Sequence, residues 1–182
     1  MKLAVFFPGL GYSSDMPLLY YSSKLAQNEG YEIIKLKYRG FDLGMLHDEK
    51  RLEEGTLEAY EGVREDLEKT DFSSYERIIF VSKSIGTALA LEYDRNFSIN
   101  ADHILLTPVE RTFDFYNGQN AAVFYGTNDP FAESSLIEKK CSENGIRMYQ
   151  VSGGNHSLET GNISDDIDIL KINTGIMKRF MK

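Results

Sequence analysis

The chain is short of several things, and each shortage removes a class of protein. It has one cysteine, Cys141, in 182 residues, so no internal disulfide can form, which fits a reducing compartment. Cys141 lies in "SLIEKKCSEN", a helical pattern, and is expected on an ordinary helix face. Basic charge is also scarce. Twenty Lys and Arg against 28 Asp and Glu leave a formal net charge of −8, so nucleic acid and anionic membrane surfaces are poor partners. No stretch approaches the ~18 apolar residues of a membrane span. The opening "MKLAVFFPGLG" has a short apolar run, but Pro8 breaks it and no small-x-small cleavage site follows. A cytoplasmic location is therefore expected. There is no internal repeat, no low-complexity stretch, no linker and no long block of like charge. One domain over residues 1–182 is the expected organisation, long enough to bury a sizeable core.

What is present alternates. Short segments rich in β-branched and aromatic residues predict strands over 2–7, 31–38, 77–82, 102–107, 121–126 and 146–152. Several are continuously apolar, as strands buried on both faces of a parallel sheet are. Between them, helical patterns predict helices over 17–29, 49–69, 84–95, 131–143 and 163–180, of which 84–95 is small and apolar, as a buried helix is. Pro17 suits a first helical turn and Gly30 a helix end. Asp165 and Asp166 near the start of the last helix, and Lys178 and Arg179 near its end, complement its dipole. Strand and helix in alternation predict an α/β fold: a mostly parallel sheet of about six strands between two helical layers. Ligands bind such sheets at the carboxyl ends of the strands, so the loops there hold the candidate functional residues.

Three of those loops carry chemistry. After the third strand comes Ser82-Lys83-Ser84-Ile85-Gly86. A sharp strand-to-helix turn would hold Ser84 in a strained, exposed conformation at a helix N-terminus. The flanking residues must then be small, as Ser82 and Gly86 are. The plainer account makes Ser84 a helix cap. After the fifth strand comes "GTNDP", with Asp129 before Pro130; taken singly, a turn or capping role suffices for it. After the sixth strand comes "GGNHSLETGN", with His156 in no periodic segment. The other two histidines have simpler explanations: His47 as a surface residue and His103 as a sheet-end residue. No two histidines approach metal-ligand spacing, so no metal is expected. Serine, acid and histidine thus follow three different strands on one sheet edge, in the chain order that an α/β-hydrolase requires.

The first loop, "FFPGLGYSSD", supplies a fourth part. Acyl transfer needs N–H donors aimed at the oxygen that becomes negative. One would be the N–H of Ile85, next to the serine. The other is expected from Leu10, with Gly11 or Tyr12 in reserve, because Gly9 and Gly11 let this backbone approach a substrate closely. A dinucleotide-binding loop is the competing account. It needs glycine where Ser14 stands and an acid at the end of "KLKYRG", and neither is present.

On these residues the sequence resembles a small member of the α/β-hydrolase superfamily, over nearly the whole chain from "FFPGLG" to "GGNH". It departs from the family pattern twice: Pro8 stands where the oxyanion motif often has histidine, and Ser82 where the nucleophile motif usually has glycine. The resemblance implies Ser84 as nucleophile, Asp129 as acid and His156 as base, with no cofactor. It also implies that two strands usual in the family before the first strand are missing. Only about a dozen residues, "PVERTFDFYNGQ", follow the fourth strand, too few for the helical lid of many relatives. An open, capless site is therefore expected. Pro108, Val109, Gly9, Gly11, Tyr12 and Phe131 are candidate substrate contacts, and Glu110 is the reserve acid. The implied activity is hydrolysis of a small carboxylic ester or thioester. The alternative is a catalytically silent binding or regulatory module on the same fold. Substrate identity and oligomeric state are not legible.

Overall fold

Six strands lie in one sheet in the order β2-β1-β3-β4-β5-β6, every neighbouring pair parallel. The computed structural model describes residues 1–39, 44–45 and 48–182; the expectation for His47 lies outside them. The strands are β1 Lys2–Phe7, β2 Tyr31–Lys35, β3 Arg77–Lys83, β4 Asp102–Leu106, β5 Ala121–Gly126 and β6 Arg147–Val151. The helices are α1 Pro17–Asn28, α2 Glu49–Leu67, α3 Ile85–Phe97, α4 Ser134–Asn144 and α5 Ile163–Met181. The continuously apolar strands are the central ones. β1, β3, β4 and β5 are buried along nearly their full length, whereas the edge strands β2 and β6 are partly exposed.

The core lies in two layers either side of the sheet. On one face, Leu18, Leu19 and Ala26 of α1 and Met177, Phe180 and Met181 of α5 pack on Ala4, Phe6, Ile79, Val81, Ile104 and Phe124. On the other, α2 and α3 cover Leu3, Val5, Phe7 and Phe80, while α3 and α4 cover Leu105, Val123 and Tyr125. Alternation along β3 sends Val81 and Lys83 to the α1/α5 face and Phe80 and Ser82 to the other. The last turn of α5 is fastened to the sheet. Arg77 donates to the carbonyls of Phe180 (2.6 Å) and Met181 (3.1 Å) and pairs with Asp102 at 3.0 Å. Among the described residues, no helix is long and apolar enough to cross a membrane.

Several local expectations are corrected. β2 stops at Lys35 rather than residue 38, although the Leu36 N–H still donates to Phe6 O at 3.0 Å. α4 starts at Ser134 rather than residue 131. His103 does lie near the sheet end, as the second residue of β4, but not as a plain polar residue. It is fully buried, 2.8 Å from Asp94, whose other oxygen accepts the Asn100 N–H. Cys141 is fully buried between α4 and the sheet, and burial pushes its thiol up to about 11. The loop from Pro108 to Asn120 contains one short 3-10 turn, Glu110–Asp114, and no cap domain.

Candidate active site

The carboxyl edge of the sheet collects the singled-out residues. At the end of β3 the chain turns abruptly into α3, and Ser84 takes φ 56° and ψ −126°, a conformation rare for any residue with a Cβ. The corner is anchored by the Ser84 N–H donating to Leu106 O at 3.0 Å. Ser84 occupies the capping position of α3, yet its hydroxyl makes no cap hydrogen bond. Its Oγ lies 2.7 Å from His156 Nε2 instead. Strain recurs one strand over, where the β-branched Thr107 has φ 43°.

The imidazole is held from its far side by Asp129, with Nδ1 2.7 Å from Oδ2. Asp129 makes a turn contact and a histidine contact at once. Oδ1 accepts the Phe131 N–H at 2.9 Å, as a turn aspartate does, and that bond fixes the carboxylate which Oδ2 presents to the histidine. The Asp129 side chain is 3% exposed and that of His156 19%. Burial pushes the imidazole below its ordinary pKa; the hydrogen bond it gives to Asp129 opposes this and the charge of Lys83 reinforces it. The Phe131 ring, 52% exposed, stands edge-on to His156 with centroids 4.8 Å apart. Glu110 is exposed in its 3-10 turn, and the carboxylate on His156 is that of Asp129.

Two backbone contacts hold these loops together. Gly126 must be glycine because a Cβ there would fall 2.1 Å from Gly154 O, in the loop that carries His156. Gly86 must be glycine because of the end of β1 and the residue after it: a Cβ would lie 2.3 Å from Pro8 O and 2.7 Å from Phe7 O. Ser82 is fully buried, its hydroxyl donating to Ile104 O at 3.3 Å.

The first loop meets the serine directly, since a Cβ on Gly9 would come within 3.1 Å of Ser84 Cβ. Gly9 and Tyr12 exchange both backbone hydrogen bonds, at 3.0 and 3.2 Å. The Tyr12 N–H is therefore spent and is removed as an oxyanion donor, while Leu10 and Gly11 sit at the tip of this turn. Ile85 opens α3, where N–H groups lack intrahelical acceptors. The Tyr12 side chain is tied down as well. It is buried, with its hydroxyl accepting the Leu18 N–H at 3.0 Å. Pro108 is buried and Val109 half-buried after β4. An open cleft of about 630 Å³ runs beside the first loop, lined by Leu10, Tyr12, Met16, Lys35 and Tyr38 among others. Among the described residues, no three His, Cys, Asp or Glu side chains cluster as metal ligands would.

Solved structures with the same architecture are numerous. Over the whole chain, Est1E of Butyrivibrio proteoclasticus, solved with ferulic acid bound, superposes with a TM-score of 0.73 at 12% identity and is itself 88% covered. The fold is that of the α/β-hydrolases. A serine hydrolase homologue from Coxiella burnetii matches all of the chain at TM-score 0.69 and 13% identity, with 85% of its own length covered. A Xanthomonas campestris α/β serine hydrolase without a lid matches 98% of the chain at TM-score 0.64 and 13% identity, with 79% of its length covered. The α/β-hydrolase fold is reached here without sequence likeness to match: no family model and no curated protein sequence matches the chain. The capless connection after β4 agrees with the lidless neighbour.

One buried residue escaped the sequence reading. Lys83 is 0% exposed, its Nζ has no hydrogen-bond partner among the described residues, and it lies 4.9 Å from the centroid of the Tyr12 ring. The signal was available in the alternation, since Lys83 follows Val81 by two on a buried strand and so shares its inward face.

Proposed function

We propose that the protein is a serine hydrolase that cleaves a small carboxylic ester or thioester through an acyl-enzyme. One observation carries the reading: an unbroken chain from Asp129 Oδ2 through His156 to Ser84 Oγ, 2.7 Å at each step, ending on a serine at a strained corner. His156 Nδ1–H donates to Asp129, which leaves Nε2 as acceptor of the Ser84 proton. As that proton moves to Nε2, Ser84 Oγ bonds the substrate carbonyl carbon and the carbonyl oxygen becomes an oxyanion. The N–H groups of Ile85 and Leu10 are the proposed donors to it. Collapse breaks the bond to the leaving alkoxide or thiolate, which takes the proton from His156. Water then attacks the acyl-Ser84, giving its proton to His156, and the carboxylic acid departs as Ser84 recovers its hydrogen. Every step uses side chains and backbone of this chain, and the reaction needs no cofactor. The esterase and lidless serine hydrolase among the structural neighbours support the reaction class. The cleft beside the first loop and the exposed Phe131 are the proposed substrate-facing surfaces.

A fluorophosphonate probe tests the reading directly. Stoichiometric labelling of Ser84 in the folded protein, abolished in Ser84→Ala, is expected. No labelling by the folded protein would leave a silent binding module on the same fold. A panel of esters and thioesters of increasing acyl length then identifies the substrate class.

The same site predicts a pH profile. His156 accepts a proton only when neutral, and burial lowers its affinity for protons. The acid limb of kcat/KM should therefore have its midpoint below about 6.5, the ordinary histidine value. A midpoint above that value contradicts the desolvated imidazole.

A further inference from the structure

The first loop is a tight turn standing on two feet. Gly9 and Tyr12 exchange both backbone hydrogen bonds, at 3.0 and 3.2 Å, and Leu10 and Gly11 form the tip between them. An N–H at that tip serves an oxyanion only if the turn is held at a fixed distance and angle from Ser84. Both feet rest on the residue before the serine. At Gly9, a Cβ would fall 3.2 Å from Lys83 O and 3.4 Å from Lys83 Cγ, besides 3.1 Å from Ser84 Cβ. At Tyr12, the ring face lies over the Lys83 ammonium, with Nζ 4.9 Å from the centroid. The far end of the ring is pinned in turn, since its hydroxyl accepts the Leu18 N–H at 3.0 Å.

A lysine is a costly choice for this place. Lys83 is 0% exposed and its Nζ has no hydrogen-bond partner among the described residues. An ammonium so placed loses most of its hydration, and a ring face returns only part of it. Methionine would fill the same space without that cost. What the lysine adds is direction, because the attraction is strongest with the cation over the face of the ring and weakens as the ring slides or tilts. One residue thus gauges the loop against the corner. Its backbone continues into Ser84, its stem meets Gly9 and its amine holds Tyr12.

We propose that Lys83 is a positioning residue: through Gly9 and the Tyr12 ring it sets the first loop above the Ser84 corner and so aims the Leu10 N–H at the oxyanion. The proposal rests on the serine hydrolase reading for its kinetic consequence, while the bracing of the loop is independent of turnover. Removing the amine leaves the hydrogen bonds from Asp129 to His156 and from His156 to Ser84 untouched. The loss should therefore fall on the transition state and not on substrate binding.

The test is Lys83→Met in the full chain, read in two ways. Amide hydrogen exchange at Gly9 and Tyr12 should speed up by about tenfold or more relative to wild type. The kcat for a short p-nitrophenyl ester should fall about 10–100-fold with KM within about twofold. Affinity for a trifluoromethyl ketone, which forms a tetrahedral adduct with a serine, should fall by the same factor as kcat/KM. Tyr12→Leu should act alike, and adding Lys83→Met to it should change little more, because both work through one contact. Val123→Ala is the control for mere loss of packing. Val123 is fully buried on the opposite face of the sheet, and its truncation should lower stability while kcat and loop exchange hold. Unchanged loop exchange or a kcat within about threefold of wild type in Lys83→Met overturns the proposal. So do additive effects of the two loop substitutions, or a control that behaves as Lys83→Met does. If Lys83→Met does not fold, Tyr12→Leu decides on the same two readouts. Wild-type protein that neither takes the fluorophosphonate label nor turns over would sink the hydrolase reading, and loop exchange alone would then decide the brace.

Discussion

Ser84→Ala should lower turnover of a short p-nitrophenyl ester by roughly 10⁴–10⁶-fold while the protein keeps its fold. The two halves of that expectation come from the same corner. Alanine retains the Cβ, so the strained backbone at φ 56° accepts it as well as it accepts serine. The hydroxyl caps nothing in α3, and its one bond in the site is to His156. Removing it therefore costs the helix little and the chemistry almost everything. What survives comes from the oxyanion donors and from binding alone. Steady-state kinetics with circular dichroism melting checks both halves. A Ser84→Ala protein with near-normal turnover would move the nucleophile elsewhere.

Gly86→Ala should be the opposite kind of lesion, damaging fold and chemistry together. The new methyl would meet two backbone carbonyls, Pro8 O at 2.3 Å and Phe7 O at 2.7 Å. Neither is the free end of a flexible side chain, so β1 and α3 must separate. Overpacking of this kind costs about 1–3 kcal/mol. The separation also carries the first loop away from Ser84. A displacement of about 1 Å in a reacting group costs roughly 100-fold in rate, and a loss of that size or more is expected in kcat/KM. Urea denaturation and kinetics measure the two effects. Gly62→Ala is the control, because a Cβ there meets nothing within 4 Å. Within α2, alanine should raise stability by up to about 1 kcal/mol and leave turnover unchanged. Equal behaviour of the two variants would refute the close contact between β1 and α3.

The architecture was legible because the central strands are buried on both faces, and such strands read as continuous apolar runs rather than as alternation. Element ends were less legible where side chains intervene. The carboxylate of Asp129 captures the Phe131 N–H and delays α4 by three residues, a competition no periodicity reveals. Burial of single polar residues was the least legible. His103 looks like an ordinary polar residue near a strand end until α3 places Asp94 against it, and Lys83 looks solvent-facing until its strand is assigned a face. The singled-out loops carried Ser84, Asp129 and His156 by type and order. The reason Gly86 must be glycine lay in β1, some eighty residues away, and only the folded chain displays it.

The edge position of β6 has a practical corollary. His156 depends on a strand paired along one side only, while Ser84 rises from β3, which has neighbours on both. Fraying of that border would disarm the serine before the central sheet loosened. Covalent labelling of Ser84 should therefore fade ahead of the global unfolding transition on heating, so that reactivity serves as a thermometer for the margin of the sheet.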